Sequence, residues 1–162
     1  MGMSSKHLRA TLDAWRGTRA GRPALVLATG PSSAAVSDAA IDAFRRDGGW
    51  AIGLNDALLQ RPGRLDAWIS GEDLCWSKPE FVEGLRAFTG DVWCRAAIAR
   101  RVARTGIDAG RVRYFEWVSQ YPDPVSFARP GQSHLHIGHT TATTAIELAA
   151  IAGCEPIYTA GV

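Results

Sequence analysis

Ala24-Leu25-Val26-Leu27-Ala28-Thr29-Gly30-Pro31-Ser32-Ser33 decides how this chain is read. An apolar run of strand length, without alternation, ends abruptly in a Gly-Pro-Ser turn. Shortly after it, Val36, Ala39, Ala40, Ala43 and Phe44 recur at helical spacing. A strand buried on both faces that feeds a tight turn and then a helix belongs to the α/β class. The same turn gathers hydroxyls and first-turn amides where an anionic group binds most easily. Thr29, Gly30, Pro31 and Ser32 are therefore candidate binding residues. The competing reading is a plain strand-to-helix turn in which Ser32 or Ser33 caps the helix. The turn is not a Walker A loop, because no Gly-Lys-Ser/Thr follows, nor a dinucleotide fingerprint, because it holds a single glycine.

The same rhythm continues along the chain. Strands are expected at Ala24–Ala28, Trp50–Leu54, Leu65–Ile69, Asp91–Cys94, Val112–Phe115 and Pro156–Thr159. Helices are expected at Ser37–Arg46, Pro79–Phe88, Ala96–Thr105 and Thr143–Ala152, after an amphipathic helix near residues 6–16 that carries Leu8, Leu12 and Trp15. Alternating strands and helices predict a Rossmann-like, mostly parallel sheet with helices on both faces, the first strand central and the ligand at the strands' carboxyl ends. Residues 1–22 are expected to form an N-terminal helix and linker, and 23–162 the nucleotide-binding domain. Glu116–His139, with three prolines and two glycines, reads as a long loop.

Two more strand ends carry candidate groups. Asn55, directly after Trp50–Leu54, offers a donor and an acceptor to a nucleotide, or else caps the short helix that follows. Thr140, Thr141, Thr143 and Thr144 open a strongly apolar helix, where threonines are poor helix formers but good anion contacts. Asp66 and Glu72-Asp73 flank the third strand and are candidates for Mg²⁺ or a base, against ordinary surface charge. His134, His136 and His139 form H-x-H-x-x-H without a carboxylate or cysteine at ligand spacing, so no metal site is expected. Most of the six tryptophans fall on or beside strands, where core packing is the default and base stacking the alternative.

Composition sets the class. The chain has 162 residues, 46% of them hydrophobic and 21% charged, as in one ordinary globular domain. A net charge of +2 does not argue for nucleic acid. Arg95, Arg100, Arg101, Arg104, Arg111 and Arg113 form a local excess that suits an acidic ligand or a solvated face. Cys75, Cys94 and Cys154 are odd in number and widely spaced, which suggests neither disulfides nor zinc and fits a reducing cytoplasm. No apolar run reaches membrane-spanning length and no signal-peptide core follows the start.

Thr29-Gly30-Pro31-Ser32 resembles the G-x-G-P-S-L signature of bacterial sialyltransferases that use CMP-sialic acid. Related motility-associated, flagellin-modifying glycosyltransferase-like proteins and archaeal 6-hydroxymethylpterin pyrophosphokinases share that signature. Thr140-Thr141-Ala142 stands where the sialyltransferases have Thr-Ser-Gly, and Pro156-Ile157-Tyr158-Thr159-Ala160-Gly161-Val162 is similar to their I-Y-L-x-G-I-D strand. Asn55 matches a nucleotide-contacting asparagine. The departures are Ala28 for the signature's first glycine, Ser33 for its leucine and Ala142 for a glycine. The family continues past the position of Val162 into a segment with the catalytic histidine, so the resemblance implies either a chain shortened at its C-terminus, expected to bind nucleotide weakly and transfer little sugar, or one whose chemistry differs.

The resemblance thus implies a nucleotide-sugar (first CMP-sugar) binding, glycosyltransferase-like domain with Thr29, Gly30, Pro31, Ser32, Asn55, Thr140 and Thr141 at the ligand. The catalytic base is unassigned, His139 and Asp73 being the candidates. The alternatives are an ATP-dependent pterin pyrophosphokinase-like enzyme using Mg²⁺, and a truncated non-catalytic nucleotide-binding module. Expected partners are a nucleotide or nucleotide sugar, with no nucleic acid, no membrane span, and homo-oligomerisation left open.

Overall fold

A computed structural model describes residues 5–118, 128, 130–132, 134–136 and 140–162. Its strands are β1 (Ala24–Leu27), β2 (Trp50–Leu54), β3 (Ala67–Ser70), β4 (Asp91–Arg95), β5 (Val112–Val118), β6 (His134–His136) and β7 (Ile157–Ala160). They form one parallel sheet in the order β6-β5-β4-β3-β2-β1-β7. The chain steps outward from β1 to β6 and then returns across the whole sheet to place β7 on the far side of β1.

That one reversal sorts the helices. Successive steps in one direction lay α2 (Asp38–Arg46), α3 (Ala57–Gln60), α4 (Pro79–Ala87) and α5 (Ala99–Val102) on one face. There Ile41, Leu58, Phe81, Leu85 and Val102 pack with Leu25, Leu27, Ala51, Trp68, Val92 and Cys94. The return step lays α6 (Thr141–Ile151) on the other face beside α1 (Ser5–Trp15). Here Leu12, Ala145, Leu148 and Ala149 pack on Val26, Ile52, Ile69, Trp93 and Phe115. Neighbouring strand residues alternate between the two cores, which is why β1 and β2 are apolar throughout, β3 is apolar except for Ser70, and all three are buried at every position. Trp15 sets its ring 5.8 Å from that of Trp50 and 5.2 Å from that of Trp93, seating α1 on the sheet. The expected α/β, Rossmann-like sheet with helices on both faces is therefore present.

Three expectations change. β1 is interior but not central, being one strand in from the β7 edge. The expected helix Ala96–Thr105 is a 3₁₀ turn at Ala96–Ile98 followed by the single turn of α5. Thr105 Oγ donates to the Val102 carbonyl at 2.6 Å, and Gly106 turns the chain away at φ +74°. Finally, Glu116–His139 is not all loop. β5 runs on to Val118, and Glu116, Trp117 and Val118 pair with His134, Leu135 and His136 of the edge strand β6. Leu135 and His136 are buried, so pairing and burial override the polar composition of this short strand. No helix among the described residues is long and apolar enough to cross a membrane.

Candidate functional site

The order in which strands are added switches at β1, which lies between β2 and β7, and the loop leaving β1 runs beside the residues that follow β7. They are held together at their roots. Gly30 donates its N–H to the Gly161 carbonyl at 2.9 Å, and Gly161 donates its own N–H to Ser32 Oγ at 2.8 Å. Both glycines are required by this approach. A Cβ at Gly30 would lie 2.6 Å from the Gly161 oxygen. One at Gly161, where φ is +74°, would lie 2.7 Å from the Ala28 oxygen. Ser33 Oγ donates to the Gly30 carbonyl at 2.8 Å, and Pro31 opens the 3₁₀ turn Pro31–Ala35. Gly30, Pro31 and Ser32 thus shape the junction rather than line the space beside it.

Asn55 is the next element. It follows β2 with φ 45°, in the left-handed region that Asn tolerates better than most side chains. Its carbonyl accepts Trp68 Nε1 at 2.8 Å, which pins the strained residue to the adjacent strand. A capping role is not what holds it: the cap position of α3 is Asp56, and no side-chain cap bond is made. Asn55 Oδ1 is buried and has no hydrogen-bond partner among the described residues. A buried amide oxygen left unpaired costs on the order of 1–3 kcal/mol, so the position calls for a reason.

The start of α6 completes the site. Thr140 occupies its N-cap position in extended conformation, yet its side chain makes no cap bond. Thr29, Asn55, Thr140, Thr141 and Gly161 line one cavity of about 160 Å³. None of the side chains that line it is charged. An anion there would meet hydroxyls, an amide and the positive end of an eleven-residue helix. Four of the seven expected binding residues, from three distant segments, therefore share one cavity, and the other three stand behind it.

Other candidates are placed elsewhere. Asp66 leads into β3 at the sheet's amino end, where it accepts Arg45 Nη2 at 2.8 Å and the Ala51 N–H at 2.9 Å. Glu72 and Asp73 lie beyond the opposite end of β3, so the strand separates them from Asp66. No group of three His, Cys, Asp or Glu able to hold a metal occurs among the described residues. His134 and His136 lie on β6, and His139 lies outside the described residues.

Sequence reasoning missed two features. Gly161 becomes recognisable only through its contacts with Gly30 and Ser32. Glu147, inside the apolar run of α6, is fully buried. It accepts hydrogen bonds from the Ala128 and His136 N–H groups at 3.2 and 2.6 Å and from Gln132 Nε2 at 3.0 Å, and lies 2.8 Å from His136 Nδ1. One turn earlier in α6, Thr144 Oγ donates to the His136 carbonyl at 3.0 Å. These bonds tie β6 to the helix whose first residues line the cavity.

The chain matches no protein-family model and no curated protein.

Proposed function

We propose that the cavity between β1, β2, β7 and α6 receives the phosphate-bearing part of a nucleotide sugar, CMP-linked sugars first, in a glycosyltransferase-like domain. One observation carries the reading: Asn55, held in a strained conformation by Trp68, lines the cavity with its Oδ1 unpartnered. A ligand hydroxyl or amine would satisfy that oxygen, and strain kept at a fixed polar group is a mark of binding sites. The cavity is smaller than the roughly 300–1,000 Å³ of a drug-sized ligand site. It suits a phosphate and part of a ribose, with the remainder of the ligand outside. Hydroxyls and helix amides facing that phosphate would stabilise the charge that builds on a departing nucleotide. The resemblance of Thr29-Gly30-Pro31-Ser32 and Thr140-Thr141 to the sialyltransferase signature points the same way.

Titration calorimetry with CMP, CDP, UDP, GDP and ATP, each with and without Mg²⁺, tests this. CMP or CDP is expected to bind, and Thr141→Ala to weaken it by roughly 1–2 kcal/mol. Absence of binding by all five overturns the proposal, and tight binding of ATP alone, dependent on Mg²⁺, replaces it with diphosphate transfer.

A further inference from the structure

A second concave surface lies on the same rim of the sheet. The turn Ala96–Ile98 follows β4 directly, and Asp73 lies three residues beyond the end of β3. Between them opens a groove of about 320 Å³ lined by Asp73, Ala97, Ile98, Arg100, Arg101 and Arg104. Arg101 Nη1 donates to the Asp73 carbonyl at 3.0 Å, which fixes one guanidinium across the groove. Arg100, in α5, and Arg104, in the turn that follows it, are both exposed. Among the described residues none of the three forms an ion pair, whereas Arg45, Arg61, Arg64, Arg111 and Arg113 all do. Three guanidiniums thus line the groove against the single carboxylate of Asp73, with which none of them pairs, and an anion relieves the repulsion that remains.

We infer that this groove binds a second substrate, a sugar carrying a phosphate or carboxylate. The arginines supply the forked donors that recognise such a group. Asp73 supplies what a bare anion has no use for: a carboxylate that accepts hydroxyl hydrogen bonds and repels a second negative charge. The mixture fits a polyol with one anionic end. A polynucleotide would need a longer basic track than this groove, in a chain whose net charge is only +2. The groove is also well placed. Asn55, at the end of β2, donates its N–H to the Ile69 carbonyl of β3 at 3.5 Å, so the two concavities sit above neighbouring strand ends. The role as second substrate rests on the nucleotide-sugar reading of the cavity, while the binding itself does not.

The probes are glucose 6-phosphate and glucuronate, with glucose, inorganic phosphate and a twelve-nucleotide oligothymidylate as comparisons, titrated into the intact chain by amide-resolved NMR. Both anionic sugars are expected to shift amides of residues 96–104, with glucose at least tenfold weaker. The double variant Arg100→Ala/Arg104→Ala is expected to lose at least tenfold in affinity for both. Since both side chains are exposed, its melting temperature should match the parent's. Asp73→Asn should weaken glucose 6-phosphate, which loses its hydroxyl acceptor, and leave inorganic phosphate bound at least as tightly, since a repelling charge is gone. Asn55→Ala should leave both sugars unchanged while abolishing CMP binding, so that the two sites fail separately. Inorganic phosphate binding as tightly as the sugar phosphate (an adventitious ion only), the oligonucleotide binding more tightly than either sugar, or an unaffected arginine double variant each overturns the inference.

Discussion

Ser32 Oγ accepts the Gly161 N–H at 2.8 Å, across 129 residues of sequence. With the Gly30–Gly161 backbone bond it forms a clasp between the loops leaving β1 and β7. Gly161→Ala and Gly30→Ala are each expected to cost on the order of 2–4 kcal/mol, since each Cβ would meet a backbone oxygen that has little room to move. Ser32→Ala removes one bond and should cost about 1 kcal/mol. Urea unfolding measures all three, and a glycine variant as stable as the parent would show that the junction is loose.

Asn55 separates stability from binding. Asn55→Gly relieves the positive φ and should leave stability within about 0.5 kcal/mol, whereas Asn55→Ala keeps the strain and should lose about 1 kcal/mol. Both variants should lose CMP binding. Retained binding in the glycine variant would mean that the amide side chain does not touch ligand.

Glu147 is fully buried, accepts from three donors and lies 2.8 Å from His136 Nδ1. Glu147→Ala leaves them unpaired and should destabilise the fold by at least about 3 kcal/mol. Amide hydrogen exchange at His136 should accelerate in step. A loss below 1 kcal/mol would show that water replaces the carboxylate.

Alkali should weaken the fold. Burial pushes up the Cys94, Cys75 and Cys154 thiols, and burial, with a smaller contribution from Cys94, pushes the Tyr114 hydroxyl up to about 12. All four keep their protons more firmly folded than unfolded. Their contribution is whole below the ordinary thiol value of 9.0 and drains away as pH rises through the folded values. The melting temperature is expected to fall steadily from about pH 9 upward, with a shallower slope in Cys94→Ala. A flat profile to pH 11 would contradict the burial of these groups.

What was legible in the sequence follows from what short windows contain. β1, β2 and β3 announce themselves because both of their faces are buried and every residue but Ser70 is apolar. β6 does not, because its three residues are His134, Leu135 and His136, and their burial comes from α6 and β5. Thr29, Asn55, Thr140 and Thr141 could be placed because each follows a strand or opens a helix, and in a parallel sheet those ends face one rim. The clasp duty of Ser32 was not legible, since its partner lies at the other end of the chain. Nor was Glu147, which looks like one charge in an apolar helix until its donors arrive from residues 128–136.

The register that pairs Ala24 with Ile157 and Leu27 with Ala160 joins the earliest strand to the latest. Such a pairing carries a large loop-closure entropy and is expected to form late in folding. Before it forms, the cavity lacks the wall that Gly161 provides. Occupancy and completion of the sheet are therefore linked equilibria: a ligand held at one hundred times its dissociation constant would add about 2.7 kcal/mol to the whole fold. A cell lacking that ligand would then carry a larger pool of chains with β7 undocked, exposing an edge of β1 to other strands and to proteases.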